Sequence, residues 1–337
     1  MTFQPISIVK MIDAKVEADA STEKPFRDHL GGSMIGKVCD RELAYIFRWA
    51  KRPSFKGRML RLFDRGHKEE FRFVEYLRNV GVEVLEYSEF LMYHAESDYY
   101  QTIPARFANE PPQEAEIEAL CEDVTGIDFH IARAEIQGVK LKQWRVSDIN
   151  DHFGGSLDGI SLAPFDVMDD NGGVIPAGVK FLNEFKTHNT KSFLHLVNLK
   201  NVKEAKPVHW AQMQIYMHKR GLEYALYMAV NKNDDDLYAE IVRYDPTEGP
   251  KLLAKAERVI AARTLPDRIG KHPSWHECKF CEYAKQCHYA EPFDKNCRSC
   301  RYSEPVEAGK WRCHKWDAII PGDAILKGCD NYSQMTD

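Results

Sequence analysis

The sequence contains nothing near the roughly 18 uninterrupted apolar residues that read as a membrane-spanning helix, and its opening stretch MTFQPISIVKMIDAKVEADA carries charges where a secretory signal needs an apolar core. Together these absences imply a cytoplasmic protein with no membrane partner. Internal repeats and low-complexity tracts are missing too, which excludes solenoids and linker-like chains. With 44% hydrophobic and 29% charged residues among 337, the composition is that of a soluble globular chain long enough for a sizeable core. An excess of positive charge is also absent: 46 Lys and Arg face 51 Asp and Glu, a formal charge of −5. That balance counts against a nucleic-acid partner, because duplex affinity comes largely from cations neutralising phosphates.

The average conceals an asymmetry. Between Gly36 and Lys68 stand ten Lys or Arg residues against the three acids Asp40, Glu42 and Asp64, an excess of seven positive charges. Acid gathers elsewhere, with six acidic residues and no base from Glu110 to Asp123, and a run at Asp234, Asp235 and Asp236. A charge run is ordinarily a solvated face, so the basic segment alone decides nothing. Cysteine is unevenly spread as well. Seven of the nine follow residue 277 (Cys278, Cys281, Cys287, Cys297, Cys300, Cys313 and Cys329), and only Cys39 and Cys121 lie outside that cluster. In a cytoplasmic chain such spacing reads as metal ligation rather than disulfides.

Apolar spacing predicts helices over residues 34–51 and from about Arg58 to Asn79, the latter stopped by Gly81. VEVLEYSEFLMY reads as a strand, followed by a polar surface excursion over about 98–122. IQGVKLKQWRVSD and GGSLDGISLAP read as paired strands, and VKFLNEFKTHN as a strand entered from the turn-rich DDNGGVIPAG. Helices at Lys191–Lys203 and Pro207–Arg220, strands at Tyr224–Val230 and Leu237–Tyr244, and a helix at Pro250–Arg263 complete an α/β pattern with a mixed sheet.

Within that pattern Glu184 and Lys186 sit two apart on one strand, so both side chains leave the same face. A carboxylate can hold Mg2+ or Mn2+ while the lysine orients or deprotonates water and offsets phosphate charge. An ion pair on an exposed strand has the same spacing. Asp158, 26 residues earlier in GGSLDGI, supplies a second carboxylate, although Asp before Gly is also a common turn former.

In order and spacing, Asp158, Glu184 and Lys186, followed by Gln212 and Tyr216 in HWAQMQIYM, resemble the PD-(D/E)XK nucleases of the RecB-like and phage exonuclease branch. The resemblance spans roughly Cys39 to Cys287. It implies a restriction-endonuclease-like α/β core: a mixed central sheet flanked by helices, with a cysteine-rich C-terminal metal-binding region. It further implies metal ligation by Asp158, Glu184, the carbonyl of Phe185 and a helical histidine, here His67 in DRGHKEEF, with Lys186 as the catalytic lysine and Gln212 and Tyr216 at or near the site. A nitrogen ligand would favour Mn2+, but His67 also falls on the apolar stripe of its helix, where a core role is ordinary. Thr187, His188, Lys191 and Ser192 would reach DNA phosphates or serve as common strand-end polar residues.

Cys278-x2-Cys281-x5-Cys287 offers three thiolates at metal-ligand spacing and needs a fourth. Iron-sulfur members of the same branch pair such a triplet with one upstream cysteine, and Cys39 occupies the matching place, which implies a 4Fe-4S cluster. Zinc held with His276 or His288 is the alternative. Cys297, Cys300, Cys313 and Cys329 form a second set resembling a small zinc knuckle, whose folding would depend on Zn2+. Around Cys313, Trp311, Arg312, His314, Lys315 and Trp316 mix aromatic and basic groups as single-strand binders do, or else pack the knuckle against the rest of the chain.

The expectation is a four-part chain: a helical segment over 1–80, a nuclease core over 81–265, a cysteine segment over 266–292 and a knuckle-like tail over 293–337. Its activity would be divalent-metal-dependent hydrolysis of DNA, single strands or duplex ends, as an exonuclease serving recombination, repair or phage replication in a bacterial or phage-infected cell, alongside a recombination or replication protein. Two alternatives stay open. One is an end-trimming nuclease of the CRISPR-adaptation type, in which the 297–329 tail would be unusual; the other is a non-catalytic DNA-binding protein with structural metal centres.

Overall fold

A computed structural model of the chain describes residues 7–22, 26–94, 99–107, 124–128 and 140–337. Helix α1 (Ile8–Thr22) falls within the helical segment expected over 1–80, where the sequence reading delimited helices only from residue 34 on. Helix α2 (Asp40–Phe47) is shorter than the expected 34–51, because Gly32–Met34 forms a separate 3-10 turn and Cys39 starts α2 afresh, its Sγ accepting from Glu42 N at 3.4 Å. Helix α3 (Gly57–Asn79) matches its expected span and stops before Gly81, whose φ is +86°.

Strand β1 (Leu30–Gly31) precedes these helices. VEVLEYSEFLMY divides into β2 (Glu83–Leu85) and β3 (Glu89–His94), which join different sheets. Between them the backbone changes partner: Tyr87 bridges to Gln143, and Ser88 N donates to Lys142 O. Strands β3, β4 (Tyr99–Pro104) and β5 (Val124–Asp128) form a small antiparallel sheet in the order β4-β3-β5. The expected excursion therefore includes strand β4, while residue 98 and residues 108–122 lie outside the described residues, as does Cys121.

Strands β6 (Arg145–Asp148) and β7 (Phe153–Ser156) pair antiparallel, and β1 runs parallel to β7 on its other side. After Asp158 the chain enters β8 (Gly159–Leu162); a short hairpin, β9 (Val167–Met168) with β10 (Val174–Ile175), then leads to β11 (Lys180–His188). The expected helix over 191–203 is two helices, α4 (Thr190–Leu199) and α5 (Val202–Ala205). Lys200 turns left-handed at φ +49°, and Asn201 caps the second by accepting from Glu204 N at 3.2 Å. Helix α6 (Pro207–Arg220) begins on its proline and ends at Gly221, as expected. Strands β12 (Tyr224–Asn231) and β13 (Leu237–Arg243) and helix α7 (Glu248–Ala261) follow.

The main sheet has the order β13-β12-β11-β8-β2, with β11 and β12 parallel and the other pairs antiparallel. It is the mixed sheet flanked by helices that the element order predicts. Alternation along β11 sends Phe181 and Phe185 to α3, where Phe73 stacks on Phe185 with centroids 5.1 Å apart. Leu182 joins the opposite core with Tyr227, Met213, Ile215 and Tyr216. β8 stops early: its pairing with β11 covers only Lys180 to Asn183. From Glu184 onward that side of β11 is not paired to β8.

Beyond α7 a short helix, α8 (Ala284–His288), carries Cys287. The tail folds as a small sheet of β14 (Ser303–Pro305), β15 (Trp311–Cys313) and β16 (Ala318–Ile319). Trp311, 1% exposed, packs against Phe47 of α2 at 5.2 Å, which settles its role as packing rather than surface binding; Trp316 remains exposed. Among the described residues no helix is long and apolar enough to cross a membrane.

Candidate active site and cysteine centres

The early end of β8 makes the site. Asp158 sits in the turn between β7 and β8, and its Oδ2 accepts a hydrogen bond from Phe185 N at 2.8 Å, capping the edge of β11 that β8 leaves bare. Glu184 and Lys186 leave β11 on the α6 side. Glu184 is fully buried, its Oε2 accepts from Gln212 Nε2 at 3.0 Å, and its Oε1 is ion-paired with Lys186. Lys186 Nζ lies 3.7 Å from Asp158 Oδ2 and donates to the Phe185 carbonyl at 3.0 Å. The structure thus brings Asp158, Glu184, Phe185, Lys186 and Gln212 to one place.

A further carboxylate joins them from α3. Burial and then the neighbouring Asp158 push Glu70 up to about 7, against the pull of Lys186. Glu184 is driven to about 8 by burial, with Asp158 and Glu70 adding to the shift and Lys186 opposing it. Burial works against the Lys186 ammonium, but Glu184 and Asp158 outweigh it and hold this lysine above its ordinary value. Three carboxylates around one ammonium leave the site with surplus negative charge, relieved by protons or by a cation.

His67 is exposed on α3, and the side chain of this helix that reaches the carboxylates electrostatically is Glu70, three residues on. Sequence reading passed over Glu70 because acids are common on a solvated helix face. The available signal was its i+3 relation to His67 in DRGHKEEF.

Helix α6 presents His209, Gln212 and Tyr216, at i, i+3 and i+7, toward this region. Tyr216 is 2% exposed and seated on two glycines: a Cβ on Gly155 would stand 2.1 Å from its Oη, and one on Gly32 would stand 2.6 Å from its Cε1. Burial, then Glu184 and Asp158, raise the Tyr216 phenol. His209, absent from the sequence reading, joins a buried network. Its Nδ1 and His188 Nε2 each lie 3.0 Å from Tyr227 Oη, His188 Nδ1 lies 3.2 Å from Ser192 Oγ, and Lys206 Nζ donates to Ser192 Oγ at 2.7 Å.

Because an ammonium only donates, Ser192 Oγ accepts from Lys206. The roles of His188 and His209 toward Ser192 and Tyr227 are set by their tautomers, and the Tyr227 hydroxyl can accept from one ring while donating to the other. Burial, then neighbouring lysines, hold His188 down at about 4; His209 is held at about 3 by burial and then Lys186. Of the four residues considered for phosphate contact, His188 and Ser192 are thus engaged internally. Thr187 faces Gly66 of α3, and Lys191 is exposed.

Four thiols line one pocket: Cys39, Cys278, Cys281 and Cys287, with Arg41, Tyr45 and His288 around them. His288 Nε2 is buried there without a hydrogen-bond partner. Burial raises Cys39 and Cys278 and pushes Cys281 up to about 11. In the tail, burial and then Cys329, Cys300 and Cys313 push Cys297 to about 11, which places the second set within one another's fields. Among the described residues no group of three or more His, Cys, Asp or Glu side chains is drawn into metal-binding geometry as it stands. The donor chemistry and the orphaned imidazole nitrogen suit a thiophilic metal.

No protein-family model and no curated protein matches the chain. Among solved structures it is similar to SSO0001, at 12% identity over 82% of this chain and 94% of that one with a TM-score of 0.38. It is also similar to LHK-Exo in complex with dAMP, at 14% identity over 82% and 97% with a TM-score of 0.36. A second structure of that alkaline exonuclease, from Laribacter hongkongensis, aligns at 14% identity over 74% and 91% with a TM-score of 0.37. Likenesses this distant carry no argument about the chain, and its chemistry has to be argued from the site.

Proposed function

We propose that the chain is a divalent-metal-dependent deoxyribonuclease that hydrolyses DNA phosphodiesters from ends. The observation that carries this reading is the convergence of Asp158, Glu184 and Glu70 on one lysine, Lys186, at an unpaired strand edge. An oxygen-only set with surplus negative charge fits a hard dication. Asp158, Glu184 and the Phe185 carbonyl would hold Mg2+ or Mn2+, with Glu70 rather than His67 as the contribution of α3. A cation bound there supplies positive charge against the phosphate and acidifies a water.

The chain's own residues do the rest. Gln212 fixes the rotamer of Glu184, and Asp158 is held in register by Phe185 N. Lys186, kept charged by its carboxylate neighbours, would offset the growing charge on a phosphate oxygen and orient the attacking water. Tyr216, locked over Gly32 and Gly155, would close the α6 side of the cleft. In the same proposal Cys39, Cys278, Cys281 and Cys287 hold a 4Fe-4S cluster or Zn2+, and Cys297, Cys300, Cys313 and Cys329 hold Zn2+. A recombination or replication role in the bacterial or phage-infected cytoplasm follows from the sequence resemblance.

The test is cleavage of end-labelled linear DNA with Mg2+ or Mn2+. Lys186→Ala should lose about a hundredfold or more in kcat, and a chelator should silence the wild type. A Lys186→Ala protein that degrades DNA at the wild-type rate would refute the catalytic assignment.

A further inference from the structure

The excess of seven positive charges between Gly36 and Lys68 is not spread over a continuous basic face. Seven of the ten cations are already engaged. Lys37 pairs with Glu42, Arg41 with Asp337, Arg61 with Asp13 and Lys68 with Asp64. Arg48 is buried, donating to the carbonyls of Ser303 and Ala262; Lys51 donates to Glu282 O and Arg65 to Lys232 O. The remaining three, Arg52, Lys56 and Arg58, are exposed, and their side chains have no ion-pair partner among the described residues.

These three flank Phe55 in sequence, and Phe55 is one of an aromatic pair. Phe55 and Phe63 are 40% and 43% exposed and meet edge to face, with centroids 5.1 Å apart and rings at 85°. Of the nearby acids, Asp13 pairs with Arg61, while Glu17 and Asp294 accept from the amides of Gly57 and Arg52.

The pair also has a defined relation to the site. Helix α3 runs antiparallel to β11, with Phe73 on Phe185 and Gly66 facing Thr187. Phe63 lies seven residues before Glu70, two turns and about 10 Å along the helix. At about 100° per residue it falls some 20° from Glu70, rotated further from Gly66, the side of the helix that faces Thr187. Phe63 therefore overhangs the end of β11 in line with Glu70 and the bare edge.

We infer that Phe55 and Phe63 form a stacking platform for a base of an unpaired DNA strand, whose phosphates are met by Arg52, Lys56 and Arg58, about two helical turns from the reacting phosphate. The inference rests on the nuclease reading and adds which form of DNA enters. Open aromatic faces beside unpaired cations recognise a polyanion with exposed ring faces, which a single strand offers and the interior of a duplex does not. An acidic or apolar protein partner would satisfy only one half of the patch.

The experiment measures binding by fluorescence anisotropy without divalent metal, using a labelled single-stranded oligothymidylate and a blunt hairpin duplex. Phe63→Ala should weaken single-strand binding about tenfold and raise KM more than it lowers kcat, while Phe63→Tyr should restore binding. Phe55→Ala provides a second reading, with circular dichroism confirming that each variant is folded. Lys56→Gln should lower the slope of log affinity against log salt by about 0.7. Unchanged single-strand affinity in Phe63→Ala and Phe55→Ala would overturn the platform, as would an equal loss on the blunt duplex, or variants that lose only capture of a purified partner protein. If wild type binds the oligonucleotide through these residues but cuts no DNA with any divalent metal, the nuclease reading fails and the platform stands.

Discussion

At the scale of single residues, the candidate site depends on what is missing from Gly155 as much as on what Glu184 carries. A side chain at Gly155 would displace the Tyr216 hydroxyl, and Gly32 lies against the same Cε1–Cζ–Oη edge of the ring. Gly155→Ala should cost about 1–3 kcal/mol by overpacking and reduce DNA cleavage. Adding Tyr216→Phe removes the clashing oxygen and should return part of the stability, read as a chemical-denaturation midpoint. If the double variant is no more stable than Gly155→Ala, the seat is not where the cost arises. At this scale the sequence was legible where spacing alone dictates geometry, as with Glu184 and Lys186 on one strand face. It was hard to read where a contact depends on the rotation of a helix: DRGHKEEF puts His67 and Glu70 three residues apart on neighbouring positions, but does not say which of the two turns toward Asp158.

At the scale of elements, most boundaries could be read because propensity and punctuation agreed, as at Pro207 and Gly221 around α6. The single strand expected over VEVLEYSEFLMY failed because a change of sheet is a tertiary event; both halves alternate correctly, and only their partners differ. The two strand-linked histidines are another tertiary product, and they yield a pH prediction. Both are held below their ordinary value of 6.5, to about 4 and about 3. As pH falls through about 6.5 the unfolded chain takes up protons that the folded chain refuses, so stability is present above that pH and is lost on going down toward about 4. Thermal midpoints followed across this window should fall, and His209→Asn, which keeps an acceptor for the Tyr227 hydroxyl, should flatten the slope. A variant with the parent's acid sensitivity would show that His209 does not contribute.

At the scale of the whole molecule, α2 and the residues beside it are fastened to the C-terminal segments at several points. Cys39 at the start of α2 shares a pocket with Cys278, Cys281 and Cys287, and α2 also supplies Phe47 to the tail. There Arg298, 1% exposed, lies over the rings of Phe47, Trp49 and Trp311 at 4.6, 4.2 and 4.6 Å and donates to the Asp28 carbonyl at 3.0 Å. Asp28 lies just before β1 and Gly32, the seat of Tyr216. With the cysteines loaded as proposed, stripping metal from anaerobically purified protein should loosen the tail and, through this segment, the α6 wall of the cleft. The expected signs are a red shift of tryptophan emission and faster proteolysis near residue 293, with loss of about four irons, or of zinc, by metal analysis. A chelated protein with unchanged emission and proteolysis would make the cysteines bystanders to the fold. The cysteine spacing pointed to both sets and to Cys39 as the partner of the first, but the tail's attachment to α2 had no motif of its own, since ring packing carries it.

The bare edge of β11 has a consequence outside chemistry. An unpaired strand edge is a template on which another polypeptide can add itself, and folded proteins usually block such edges. Here the first free amide beyond β8, that of Phe185, is already taken by Asp158, and the approach is lined with carboxylates. The same gap proposed to admit a phosphate chain thus turns away a peptide chain. Replacing Asp158 to silence the site would also unguard the strand, making Asp158 variants the ones to watch for self-association.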